Sequence, residues 1–270
     1  MMRAASAIFI TALSAALLAS NSAALEAVSG EVCTRDRVKI SYEHYKAGSG
    51  SVIIVCPGFY NSKTNRWMRK TVDLVFPAYD VIIFDFRGHG QSGGKFTWSA
   101  KEDMDVDAVL DYAKACGYKH IGIIAYSLGA AAAVNAAAAR DDIESMVLIS
   151  CPSSFRSIDF CFWEPGMFSD LKDNIDCKWE GKGARSGNIF LSKKDPIDAI
   201  GRIKHTAILF IHGDNDWVIK ERHSKKLYAA ANTYKEIEII KGGLHAERLV
   251  QFHHDTVKKL ILDWFAKTLG

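Results

Sequence analysis

The stretch from Ile121 to Ala130, Ile-Gly-Ile-Ile-Ala-Tyr-Ser-Leu-Gly-Ala, constrains this chain more than any other. Its uninterrupted apolar start reads as a strand buried on both faces. The alanine-rich run that follows, as far as Arg140, reads as a helix. The two meet at Ser127, which reads as a sharp turn. A turn that steep lifts the serine hydroxyl above the sheet. It also leaves the first backbone N–H groups of the helix, including that of Leu128, free to bind negative charge. Strand and helix can approach this closely only if the residues two before and two after the serine are small, and Ala125 and Gly129 are. Taken alone, the stretch fits an incidental serine in an ordinary strand–loop–helix equally well. The rest of the chain decides between the two.

The rest of the chain repeats the same rhythm. Ser51 to Cys56, Val81 to Phe84, Ser145 to Ser150, Ala207 to Ile211 and Glu236 to Ile240 read as strands. Helical patterns lie between and after them: one ending near Phe76, then Ala100 to Cys116, Lys220 to Ala231, and a terminal helix from Arg248 to Leu269. Glu31 to Tyr45 alternates in strand fashion around a turn near Arg35-Asp36-Arg37. Apolar strands alternating with helices predict a mostly parallel sheet of about eight strands, covered by helices on both faces. The rhythm breaks from about Ser153 to Asp198, where Phe155, Phe160, Phe162, Trp163, Phe168 and Trp179 mix with glycines and charges. This segment reads as an insertion between two strands of the sheet.

Composition sets the limits. The 270 residues are 49% hydrophobic and 24% charged, enough for a large core. The formal charge of +3 gives no electrostatic case for nucleic acid as a partner. Residues 1–24 differ from the rest: Arg3, an apolar run from Ala7 to Ala19, then Ser22-Ala23-Ala24 with small residues at the −3 and −1 positions of a cut after Ala24. This is the pattern of a secretory signal peptide, and the apolar run is shorter than the about 20 residues that span a bilayer. The expectation is an exported chain, periplasmic or secreted, with one domain over residues 25–270 and no stable membrane anchor after cleavage. None of the six cysteines forms a Cys-x-x-Cys pair. Cys56 and Cys151 read as small buried apolar residues, and Cys161 and Cys177 are disulfide candidates if the chain is exported. The nine histidines lack metal-ligand spacing, so neither a metal nor a cofactor is expected.

Five short motifs stand in a fixed order: Pro57-Gly58-Phe59; Asp85-Phe86-Arg87-Gly88-His89-Gly90-Gln91-Ser92; Ala125-Tyr126-Ser127-Leu128-Gly129; His212-Gly213-Asp214-Asn215-Asp216; and Gly242-Gly243-Leu244-His245. In that order they resemble the α/β-hydrolase superfamily, closest to its serine-aminopeptidase-like and esterase-like members. The resemblance runs from about Val38 to the C-terminus, apart from the insertion. It implies an α/β-hydrolase fold whose cap is the insertion at about 153–198. It implies Ser127 as nucleophile, His245 as general base and Asp216 as the acid that orients it, in the order serine, acid, histidine. Asp214 is the rival acid and is expected to serve the turn. His89 is expected to support the site rather than act in it, and Asp85 and Arg87 are expected to be paired rather than catalytic. The oxyanion hole would be the backbone N–H groups of Phe59 and Leu128. Pro57-Gly58 replaces the family's usual His-Gly, which leaves the Phe59 donor intact because it is main chain. The implied activity is hydrolysis of an acyl bond in a small-molecule substrate, ester first, then thioester or amide. The alternative is a non-catalytic binding protein on the same fold. Acyl-chain length, disulfide pairing and oligomeric state are not legible in the sequence.

Overall fold

A computed structural model of the chain describes residues 27–158, 165–176, 178 and 180–270. The proposed signal segment, Cys161, Cys177 and the aromatics Phe160, Phe162, Trp163 and Trp179 lie outside the described residues. Among the described residues no helix is long and apolar enough to cross a membrane.

The strands are β1 (Ala27–Cys33), β2 (Lys39–Tyr45), β3 (Ser51–Cys56), β4 (Asp80–Phe84), β5 (His120–Tyr126), β6 (Ser145–Ile149), β7 (Ala207–Gly213) and β8 (Lys235–Ile240). They form one eight-stranded sheet in the order β1-β2-β4-β3-β5-β6-β7-β8. β1 pairs antiparallel with β2, and β2 with β4. From β4 to β8 every pairing is parallel. The helices are α1 (Arg66–Val75), α2 (Asp103–Ala115), α3 (Ser127–Ala137), α4 (Pro165–Asp176), α5 (Pro196–Ala199), α6 (Arg222–Ala230), α7 (Glu247–Phe252) and α8 (His254–Thr268).

Strand side chains alternate between the two faces, and that alternation builds two cores. Val52, Ile54 and Cys56 of β3 join Ile121, Ile123 and Ala125 of β5 under α2 and α3. Ile53, Val55, Ile124 and Tyr126 pack on the other face against α1 and α8, including Met68, Trp264 and Phe265. Cys56 and Cys151 are fully buried, and burial pushes both thiols well above the usual range. They are packing residues, as their apolar settings in the sequence imply.

The terminal helix differs from the sequence expectation. The chain leaves helical geometry at His253 (φ −128°, ψ 36°), so one pattern becomes two helices, α7 and α8. Both α7 and α8 pack on α1. Between β6 and β7 the chain carries a short 3-10 turn (Phe155–Ser157), α4, an extended stretch and α5.

Candidate active site

The parallel strands all end at one edge of the sheet, and the loops from that edge carry the residues of interest. β5 ends at Tyr126, and α3 begins at Ser127 with φ at 50°, the left-handed region that a non-glycine residue seldom enters. The turn is held by close packing behind it. A Cβ on Gly129 would sit 2.2 Å from the Pro57 carbonyl oxygen, so only glycine fits there. Ala125, paired with Cys56 across the sheet, is fully buried, and its methyl is accommodated.

β7 ends in the loop that carries Asp216, and β8 in the loop that carries His245. The two loops meet at Gly213, where a Cβ would lie 2.1 Å from the Gly243 carbonyl oxygen. That approach brings the three side chains together. His245 Nε2 lies 3.0 Å from Ser127 Oγ, and His245 Nδ1 lies 2.7 Å from Asp216 Oδ2. Asp216 is wholly buried. Its Oδ1 accepts the N–H groups of Val218 (2.9 Å) and Ile219 (2.8 Å), and its Oδ2 also faces His212 Nε2 at 3.2 Å. Burial alone would favour the neutral acid. The facing His245 and His212 outweigh it and hold the Asp216 carboxyl well below the usual carboxylate range. His212 is fixed in turn, with Nδ1 at 2.7 Å from Ser224 Oγ and Nε2 at 2.7 Å from the Ile219 carbonyl. Asp214 does not enter the group; it accepts the Gly242 N–H at 2.7 Å and closes the turn.

Leu128 and Phe59 face the same space. The Leu128 N–H belongs to the first turn of α3, which has no intrahelical acceptor. Among the described residues nothing accepts the Phe59 N–H. The neighbouring Tyr60 N–H is taken by His89 Nε2 at 3.1 Å, while His89 Nδ1 faces the Arg87 carbonyl at 3.1 Å. His89 is buried and acts as a brace for the Phe59 loop. Phe59 itself packs against Phe96 and Trp98, each at a ring distance of 5.0 Å. A cavity of about 390 Å³ opens between these groups, with Ser127, Leu128, Phe59 and His245 on one side and Trp98, Phe155 and Ile219 among its apolar walls.

Asp85 and Arg87 are both paired, but not with each other. Asp85 forms a buried ion pair with Lys63 at 3.0 Å, and Arg87 pairs with Asp105 at 2.7 Å and Asp36 at 2.8 Å. Burial pushes the Asp105 carboxyl up to about 7 against the pull of Arg87.

The sequence reading passed over three supports of the site. Ser150 Oγ accepts the Ala246 N–H at 3.0 Å, which pins the residue after His245. Glu247, two residues after His245, is buried between Lys182 Nζ (2.6 Å) and Asn61 Nδ2 (3.0 Å). Burial opposes its charge, but Lys182 and Asn61 bring its carboxyl down to about 2. Trp98 walls the cavity from a loop in which both Trp98 and Ser99 have positive φ. Only Ser150 carried a sequence signal, its place at the end of an apolar strand.

The family model described as alpha/beta hydrolase fold matches residues 51–170. The esterase Pf2001 of Pyrococcus furiosus superposes with a TM-score of 0.72 at 23% identity, covering 91% of this chain and 92% of that one. The chain has the α/β-hydrolase fold. Two bacterial sequences are similar to this chain at low identity. The uncharacterized protein YqkD of Bacillus subtilis is 26% identical over 226 residues, 79% of this chain and 70% of its own. The uncharacterized protein YfhR of Escherichia coli is 25% identical over 196 residues, 71% of this chain, which spans only 62% of that relative. In α/β-hydrolase terms, Ser127 stands at the strand-to-helix elbow, and Asp216 and His245 stand on later loops of the same edge.

Proposed function

We propose that this protein is a serine hydrolase that cleaves an acyl bond, a carboxylic ester first of all. The observation that carries the reading is the continuous contact from Ser127 Oγ through the His245 ring to the buried Asp216. Ser127 Oγ attacks the acyl carbonyl carbon while its proton passes to His245 Nε2. Asp216 holds the Nδ1–H tautomer and stabilises the imidazolium that forms. The carbonyl oxygen becomes an oxyanion between the N–H groups of Phe59 and Leu128, donors of a kind worth about 3–4 kcal/mol each. Collapse expels the alcohol, which takes its proton from His245. A water then attacks the acyl-enzyme with His245 again as base, and the acid leaves. The Pyrococcus neighbour's description as an esterase agrees with this chemistry.

Labelling with a fluorophosphonate probe tests the reading. The wild-type protein should label and Ser127→Ala should not, and hydrolysis of p-nitrophenyl acetate should fall by about 10⁴-fold or more in the variant. A folded wild-type protein that neither labels nor turns over activated esters would make the fold here a binding scaffold instead.

A further inference from the structure

The cavity beside Ser127 does not end at its inner walls. Trp98 and Phe155 line it, and the same two residues line a second, outer space of about 610 Å³. The two spaces therefore share a wall and differ in chemistry. Apart from Ser127 and His245, every side chain around the inner space is apolar. The outer space adds Ile189 and Phe190, which are exposed, and two cations, Arg156 and Lys193. Among the described residues neither cation forms an ion pair; Lys193 Nζ reaches only the Thr97 carbonyl, at 3.3 Å. The nearby carboxylates are spent on their own loops. Glu102 accepts the N–H groups of Thr97 (2.6 Å) and Ser99 (2.8 Å), and Asp195 accepts the Phe155 N–H (3.0 Å) and the Ser154 hydroxyl (2.9 Å). Neither lines the outer space. Burial presses the Lys193 ammonium below the usual lysine range, a cost that a bound anion would offset.

We propose that the two spaces form one cleft for an amphiphilic ester, with its apolar body between Trp98 and Phe155 and a distal anionic group at Arg156 and Lys193. This rests on the hydrolase reading above and adds the substrate class to it. Anions bind here by charge, since two cations that form no ion pair among the described residues face one space. The apolar body binds by exclusion of water from the aromatic walls.

The test compares matched pairs of esters. One pair carries the anion on the acyl side: the mono-p-nitrophenyl ester of suberic acid against p-nitrophenyl octanoate. The other carries it on the alcohol side: the octanoyl ester of para-hydroxybenzenesulfonate against that of para-hydroxybenzenesulfonamide, a neutral leaving group of similar acidity. In at least one pair the anionic member should show a kcat/KM about fivefold higher at low salt, and the advantage should shrink as salt is added. Arg156→Gln with Lys193→Gln should bring that ratio to about one. The ratio is taken within each protein, so a general loss of activity cancels. Binding of the same esters to Ser127→Ala, followed by calorimetry, reads the cleft even in a protein without turnover. Labelling and turnover of neutral esters with no anionic advantage in either pair or in binding would overturn the cleft and leave the hydrolase reading standing. Absence of labelling together with anion-dependent binding would do the reverse.

Discussion

Asp216 uses every acceptor it has. One oxygen takes two backbone N–H groups, and the other faces two imidazoles. Asp214, two residues earlier in the same loop, takes one backbone N–H at the protein surface. The roles of the two carboxylates therefore separate sharply. Asp216→Asn should lower kcat/KM by about 10³–10⁴, because an amide no longer holds the Nδ1–H tautomer of His245. Asp214→Asn should change it by less than about fivefold. Steady-state kinetics with one activated ester compares them, and an equal loss in both would move the acid away from Asp216.

Between the elements, the piece that matters most is the extended stretch from Gly181 to Gly187. It runs across three loops at the site's edge. Gly183 N–H donates to the Tyr60 carbonyl (2.8 Å), Arg185 N–H to the Gly88 carbonyl (2.7 Å), and Gly187 N–H to the Phe96 carbonyl (2.8 Å). Lys182 meanwhile pairs with Glu247 beside His245. One strip thus ties the Phe59 loop to the His245 loop. Lys182→Met strands a buried carboxylate and should cost about 2–3 kcal/mol in urea unfolding. Adding Glu247→Gln should recover much of that loss; a double variant no more stable than Lys182→Met would show that the pair carries no such weight. None of this was legible beforehand. Ser127, Asp216 and His245 each follow a strand and carry a local signal of small residues and glycines, so order along the chain marked the three side chains that the fold brings into contact. Asn61 and Glu247 meet across 186 positions, and nothing local marks either one. The inner strands were legible for the same reason as the elbow: β3 to β7 are built on continuous apolar runs, whereas β1, β2 and β8 show only alternation. The split of the last helix at His253 was not, because apolar spacing continues across the break.

Over the whole molecule, buried titratable groups set the response to acid. Burial and nearby positive charge bring His44 and His223 down to about 4, so the folded protein keeps both rings neutral. An unfolded histidine takes its proton near 6.5. Between those values the unfolded chain binds protons that the folded chain refuses, and stability falls as pH falls. The carboxylates act in the same direction at lower pH: Asp216 and Glu247 are held below their ordinary range, and their contribution is lost as they protonate. Asp105, pushed up to about 7, acts the opposite way over this span but is outnumbered by the two histidines, so calorimetric Tm should decline from about pH 6.5 toward pH 4. A Tm that stayed level over that span would contradict the burial assigned to His44 and His223. The strip from Gly181 to Gly187 has one more consequence, for how such proteins can diversify. The insertion enters and leaves between two neighbouring strands, which makes it look like a part that could be exchanged without touching the rest. Yet it supplies the cation that Glu247 needs and the donors that the Tyr60 and Gly88 carbonyls need. A chimaera that grafts another insertion onto this sheet also removes the far anchor of the His245 loop, so insertion and sheet edge are exchangeable only as a matched pair.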